Sequence, residues 1–476
     1  MHQQLVVIGG GPAGYAAAFL AADQGLQVTL IDSRSQLGGT CLVEGCIPSK
    51  ALLHVTRVMA EVEHLDQHWG VHHGTPTINL EALRARKEKV VENLGKGLGM
   101  LAGQRKVDIL QATARLESSN SLRLEGEDPQ LPEQIGFDHC ILATGSSPAI
   151  PDLFAVDSSR VMDSTVALQL DEIPESLLVV GGGYIGLELG TVYSRLGSRV
   201  TVVEMTDRLL PGVDPDLVKP LERILRRQFE AILLNTRVSA LQLSADQVEL
   251  TLEAADGDQQ PHLFDRVLVA TGRQPRSGNL GLENTQVTID SDGFIEVNDR
   301  MRTADPRILA IGDLAGQPML AHKATDDARR AIKSLCQADP AEPYQFEQAV
   351  GADDLVPAVV FTDPEIAWVG IQQDDGQQLA SAVYPWGASG RAQAIGRTEG
   401  LTKWMVDPAD GTLLGCGIVG PGAGELIAEA AVAIQNKLGV EAVAGVIHPH
   451  PTLSETLAGA ADIYLGQAIE AKNSGS

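Results

Sequence analysis

Two cysteines with four residues between them lie in the string Gly38-Gly39-Thr40-Cys41-Leu42-Val43-Glu44-Gly45-Cys46-Ile47-Pro48-Ser49-Lys50. A disulfide needs Cα atoms about 4.4–6.8 Å apart, which a distorted first helical turn supplies. In an intracellular protein, such a close pair points to redox or metal chemistry rather than to a staple. Zinc would need further ligands, and no second CxxC or histidine pair stands at ligand spacing, so no metal is expected. Pro48 and the apolar run Ala51-Leu52-Leu53 put the pair at a helix N-terminus. There the partial positive charge lowers a thiol pKa and makes a thiolate available at neutral pH. The competing reading is two buried cysteines that happen to be close.

The elements around this string repeat a pattern. Leu5–Ile8 is an apolar strand, followed by Gly9-Gly10-Gly11-Pro12-Ala13-Gly14, an alanine-rich helix, and a strand over Gln27–Ile31 that ends on Asp32. A strand, a GxGxxG turn, a helix and an acid after the next strand form a dinucleotide fingerprint. The glycines let backbone N–H groups reach a pyrophosphate, and Asp32 would accept from ribose hydroxyls. The pattern returns at Leu177–Val180, Gly181-Gly182-Gly183-Tyr184-Ile185-Gly186 and Val200–Val203, ending on Glu204. Each copy closes on Ala-Thr-Gly, at Ala143-Thr144-Gly145 and Ala270-Thr271-Gly272. Two dinucleotides and a thiol pair suggest electrons moving between a nicotinamide, a flavin and a disulfide. Glu204 favours NAD, because a carboxylate bonds the adenine-side 2′-hydroxyl and repels a 2′-phosphate, and only Arg208 stands nearby.

At 476 residues the chain needs several cores. A net charge of −26, from 36 Lys+Arg against 62 Asp+Glu, disfavours nucleic acid and anionic membranes as partners. The isolated Cys140, Cys336 and Cys416 make no disulfide framework. The first residues enter an apolar strand without a basic region or cleavage site, so no signal peptide and a cytoplasmic location are expected. Leu80–Leu101 reads as a long charged helix and Glu125–Gln134 as a surface loop; strands are expected at Gln286–Ile289 and Phe294–Val297. From about Val350 the chain turns β-rich, with a helix over Glu425–Gln435 and a short loop over Gln372–Gln378. His450 lies between Pro449 and Pro451, which hold it extended, and Glu455 can return to one ring nitrogen, leaving the other as a base. His448 and His450 as a metal pair would lack a third ligand nearby.

The string GGTCLVEGCIPSKALLH, both fingerprints, the Gly312-Asp313 turn and the ending His450-Pro451-Thr452-Leu453-Ser454-Glu455 resemble the pyridine nucleotide–disulfide oxidoreductases, and within them the dihydrolipoyl dehydrogenases. The resemblance runs from Leu5 to about Ala471. It implies an α/β fold with two Rossmann-like units and a C-terminal α+β dimerisation domain: an FAD domain over 1–148, an NAD domain over 149–274, a central domain over 275–348 and an interface domain over 349–476. It implies FAD and NAD as cofactors and a homodimer. It also implies lipoyl domains and the peripheral-subunit-binding domain of 2-oxo acid dehydrogenase acyltransferase cores as partners. By resemblance, Cys41 exchanges with substrate sulfur, Cys46 faces the flavin, Lys50 pairs with Glu188, and His450 of the partner chain, oriented by Glu455, moves the proton. Cofactor contacts are expected from Gly9, Gly11, Pro12, Ala13 and Gly14, from Asp32, Thr40 and Lys50, and from Thr144 and Gly145. In the second half they are expected from Gly181, Gly183, Ile185, Gly186, Glu204 and Gly272. Asp313 would hold the ribityl chain, with Met319 and Ala321 on a helix against the flavin and His322 as a structural or flavin-side residue rather than a catalyst. Asp327-Ala328 departs from the acid-glycine pair usual in the family.

Overall fold

The computed structural model describes residues 2–74, 76–337, 355–373, 376 and 378–472. Leu5, Val6, Val7 and Ile8 are buried because their strand, His2–Ile8, is central in a sheet. It runs parallel to Val28–Asp32 and Gln134–Leu142, pairing Leu5 with Val28 and with His139. Outward from the first neighbour lies Asp108–Gln111; outward from the second lie Ser121–Glu125 and Thr113–Ser118. Ile308–Ala310 also pairs with Gln134–Leu142 in parallel, with Ile308 opposite Cys140 and Ala310 opposite Leu142. Buried residues between Leu280 and Ile332 share this first core. Helix Ala321–Gln337 covers it beside the fingerprint helix Pro12–Asp23.

The second unit is a parallel sheet in the order Ala231–Leu233, Arg199–Val203, Ser176–Val180, Arg266–Val269, Val161–Met162. A meander of three strands, Thr236–Leu243, Val248–Ala254 and Gln259–Phe264, packs against it. The third unit is antiparallel, in the order Ala358–Val360, Glu365–Gly370, Leu413–Gly420, Leu401–Val406, Ala380–Pro385. Its core holds Trp386 and Trp404, fully buried, with their indole N–H groups donating to Thr402 Oγ1 at 3.0 Å and to the Leu457 carbonyl at 2.9 Å. Helices Ala423–Gln435 and Glu455–Tyr464 pack on this sheet.

Three local expectations change. Gln286–Ile289 and Phe294–Val297 form no strands and meet at a single bridge, Ile289 with Ile295. The Asp290 carboxylate accepts from the N–H groups of Asp292 and Phe294, both at 2.9 Å, and so builds a turn instead of a ladder. The strand Ala380–Pro385 was not expected; only Ala382 and Tyr384 of its six residues point inward, which leaves little apolar signal. The cysteine pair does not share one helical turn: Gly45 breaks the chain between helix Gly39–Glu44 and helix Cys46–His68. The domain boundary near 348 and part of the loop Gln372–Gln378 lie outside the described residues.

Candidate active site

Cys46 opens the long helix Cys46–His68, and Cys41 sits one helix earlier. Gly45 makes this possible, since a side chain there would meet the Thr40 carbonyl at 2.7 Å. Both thiols are free and hydrogen-bonded to each other. The bond from Cys41 and the Lys50 ammonium push the Cys46 thiol, which is exposed to the cavity, down to about 7, against the opposing effect of Glu188. Cys41 moves the opposite way, raised by its bond to Cys46 and by burial. Of the pair, Cys46 is the thiolate. Lys50, one helical turn further on, donates to Glu188 Oε2 at 2.8 Å. Glu188 is 3 % exposed, and its other oxygen accepts from the Phe361 N–H at 2.9 Å, so this buried carboxylate is fully partnered.

A cavity of about 390 Å³ joins these groups to the first fingerprint. Gly9, Gly11, Pro12, Ala13 and Asp32 line one end, with Thr144 and Gly145. Thr40, Cys41, Cys46, Lys50, Ile185 and Glu188 line the other. Asp313, accepting from Ser146 Oγ, lies along the wall with Met319 and Ala321. Gly14 lies beneath the turn, where a Cβ would come within 1.7 Å of the Gly9 carbonyl. No side chain caps the helix at Gly11, and Gly11, Pro12 and Ala13 of this uncapped N-terminus line the cavity. Asp32 accepts from the N–H groups of Gly10 at 2.6 Å and Arg34 at 2.8 Å, which fixes the acid at the end of its strand.

The second fingerprint is built the same way. Glu204, 8 % exposed, accepts from Gly182 N–H at 2.7 Å and Thr206 N–H at 2.8 Å. Gly181 has φ +108°, and a Cβ on Gly186 would lie 2.3 Å from the Gly181 carbonyl. Gly181, Gly183, Gly186, Glu204 and Gly272 lie outside the lining of this cavity. Of the two roles expected for His322, the contacts show the structural one: its Nε2 bonds the Pro357 carbonyl at 2.6 Å, and it does not line the cavity. Asp327 accepts from Gly312 N–H at 3.0 Å and pairs with Lys323 at 2.9 Å, both side chains buried, which steadies the turn carrying Asp313.

His450 Nδ1 bonds Glu455 Oε1 at 2.8 Å, and the other Glu455 oxygen accepts from Thr452 N–H at 2.7 Å. That bond and the Glu455 charge raise the His450 pKa. The imidazole is largely exposed and is not part of its own chain's cavity. His448 instead bonds Glu429 at 2.8 Å and the Val446 carbonyl at 3.1 Å. Among the described residues no cluster of three His, Cys, Asp or Glu side chains could hold a metal, and no helix is long and apolar enough to cross a membrane. Sequence reasoning missed Tyr184, Arg273 and Arg276 as cavity residues. Tyr184 stands inside the second fingerprint and Arg273 directly after the second Ala-Thr-Gly, so position alone could have flagged both.

Residues 3–328 match the family model described as pyridine nucleotide-disulphide oxidoreductase, and residues 356–461 match its dimerisation domain. The chain belongs to this family. A dihydrolipoyl dehydrogenase of Vibrio parahaemolyticus is 40 % identical over 99 % of this chain and 97 % of its own length. That of Haemophilus influenzae is 40 % identical over 99 % and 96 %. The crystal structure of LpdA from Mycobacterium tuberculosis superposes with a TM-score of 0.86 at 29 % identity, covering 96 % of this chain and 99 % of that one. The second fingerprint's helix sends Tyr184, Ile185 and Glu188 into the cavity that joins the first fingerprint to the thiol pair. The first fits FAD: an uncapped helix N-terminus for a diphosphate, an acid for ribose, and an elongated cavity that reaches Cys46. The second fits NAD, with Glu204 at the strand end and a glycine turn open to solvent at Gly183.

Proposed function

We propose that this enzyme is an FAD-containing, NAD-dependent dihydrolipoyl dehydrogenase. The observation that carries this reading is the Cys41–Cys46 pair, with Cys46 as thiolate beside the Lys50–Glu188 ion pair, at the junction of both dinucleotide units. The dithiol substrate becomes a disulfide as the enzyme disulfide becomes two thiols; their reoxidation to the disulfide sends the electron pair with one proton to NAD, as hydride, and releases the other proton to solvent. When bound, FAD supplies the two-electron chemistry that links thiols to nicotinamide. Cys41, the thiol held protonated, exchanges with substrate sulfur, and Cys46 faces the flavin. His450 takes the substrate thiol proton on Nε2 while Glu455 holds Nδ1 and steadies the charged ring. Its exposed position outside its own cavity supports a homodimer in which each imidazole serves the partner's thiols.

The proposed substrates are lipoyl domains of 2-oxo acid dehydrogenase complexes, with docking to the peripheral-subunit-binding domain of the acyltransferase core, in the cytoplasm. NADH oxidation with lipoamide, set against glutathione disulfide, tests the activity: lipoamide should be used and glutathione disulfide should not. Equal use of both, or preference for the glutathione substrate, overturns the reading. Refolding Cys46→Ser together with His450→Ala tests the shared site. Random mixing should restore about a quarter of wild-type sites, since half the dimers are hybrid and each has one intact site. Proven hybrids no more active than their parents would place the base and the thiols in one chain.

A further inference from the structure

Lys50 is held from two sides. Its ammonium donates to Glu188, and it stands 4.6 Å from the centroid of the Phe361 ring. Phe361 also donates its N–H to the second oxygen of Glu188. One residue of the C-terminal unit thus touches both members of the ion pair beside the thiols. A lysine stem is flexible and its ammonium a compact point charge, so a single carboxylate confines the head poorly. An aromatic face on the other side, negative at its centre, narrows that freedom.

Phe361 is itself fixed by a double bracket. Asp363, buried, accepts from Arg195 at 2.7 Å and pairs with Arg397. Glu365 accepts from Arg57 at 3.0 Å and from Gly424 N–H at 3.1 Å. Arg195 rides the helix of Glu188, and Arg57 rides the helix of Lys50, each two turns along. Both helices are therefore gripped twice by the segment from Phe361 to Glu365: once through the Lys50–Glu188 pair and once through a guanidinium.

We infer that Phe361 is a positioning residue of the redox centre, its ring and N–H holding the Lys50 ammonium beside Cys46. The C-terminal unit then sets the charge environment of thiols that belong to the first unit. The groups facing Cys46 are Cys41 from the short helix, Lys50 from its own helix, and Glu188 and Tyr184 from the second fingerprint helix. Lys50 alone among them brings positive charge, so loosening it disfavours the thiolate.

This inference rests on the redox reading of the thiol pair, and the test separates the two. In holoenzyme carrying Cys41→Ser, the rate of Cys46 alkylation by iodoacetamide is followed across pH by peptide mass spectrometry. The background enzyme should react at neutral pH; a Cys46 reactive only in strong alkali overturns the redox reading itself. Adding Phe361→Leu should slow alkylation at pH 7 roughly threefold, and Phe361→Tyr, which keeps the ring face, should not. Pentafluorophenylalanine at 361 keeps the shape, reverses the ring's field, and should slow the reaction as leucine does. Unchanged rates with leucine and with the fluorinated ring, or tyrosine as slow as leucine, overturn the inference.

Discussion

The two dinucleotide turns are near copies in backbone and opposite in setting. Gly9 and Gly181 share φ values of +107° and +108°, and both strand-end acids accept from the second glycine and from the residue two positions on. At the third position the copies part. Gly11 faces Gly39 of the redox segment, where a Cβ on Gly39 would lie 2.6 Å from the Gly11 Cα, whereas nothing lies within 4 Å of a Cβ on Gly183. The first turn is closed over by chain and the second is left open. The same unit thus serves as a lasting cradle in one place and as an exchangeable landing in the other. The helices diverge in the same sense. Pro12–Asp23 buries alanines flush against its sheet, while Tyr184–Leu196 sends Glu188 back into the first unit's cavity.

The largest expected effect comes from blocking the closed turn. Gly39→Ala adds a Cβ at φ +57° against backbone, so it should cost on the order of 2–3 kcal/mol and release flavin, read by denaturant titration and bound absorbance. Gly183→Ala should retain flavin and change stability by less than about 0.5 kcal/mol. Equal losses from both would remove the distinction between closed and open turns.

Changing the matched acids sharpens the contrast. Glu204→Gln should narrow the ratio of kcat/KM for NAD over NADP by roughly a hundredfold, because the repulsion facing a 2′-phosphate is gone. Asp32→Asn should weaken flavin retention and leave that ratio alone. A change in nucleotide preference from Asp32→Asn would mean the roles of the halves are misassigned.

Glu188→Gln tests the helix that crosses between units. Glu188 disfavours the Cys46 thiolate while Lys50 favours it, so removing the acid's charge should lower the Cys46 pKa below about 7. Alkylation of Cys46 at pH 6 should then rise severalfold. A slower reaction would show that Glu188 matters chiefly by holding Lys50 in place.

The smallest effect lies outside both turns. Glu455 raises the His450 pKa, and the base acts only when neutral, so lipoamide oxidation should fall as pH drops through that raised value. Glu455→Gln should move this acidic limb to lower pH, with a plateau loss of roughly tenfold from poorer orientation. An unmoved limb would separate Glu455 from the titrating group.

Much of this site was legible because local backbone needs appear as residue types. Glycine at Gly9 and Gly181, acids at strand ends and prolines around His450 are constraints met within a few residues. Lys50 with Glu188 was legible only through resemblance, since they lie 138 positions apart. Phe361 carried no signal, because its role depends on a third unit folding against the other two. The turn at Asp290 misled for a related reason: one side chain supplied acceptors that alternating apolar residues would have assigned to a ladder.

The place of Ile308–Ala310 beside Gln134–Leu142 has a consequence for biosynthesis. A ribosome adding about 5–20 residues per second completes the whole second unit before the strand that finishes the first sheet emerges. The inserted unit can therefore fold while the earlier one still waits with an exposed edge. Flavin capture becomes a late event, timed by the delivery of Ile308–Ala310, Asp313 and the helix Ala321–Gln337. Nascent chains halted before residue 300 should bind no flavin, whatever the condition of their first 140 residues.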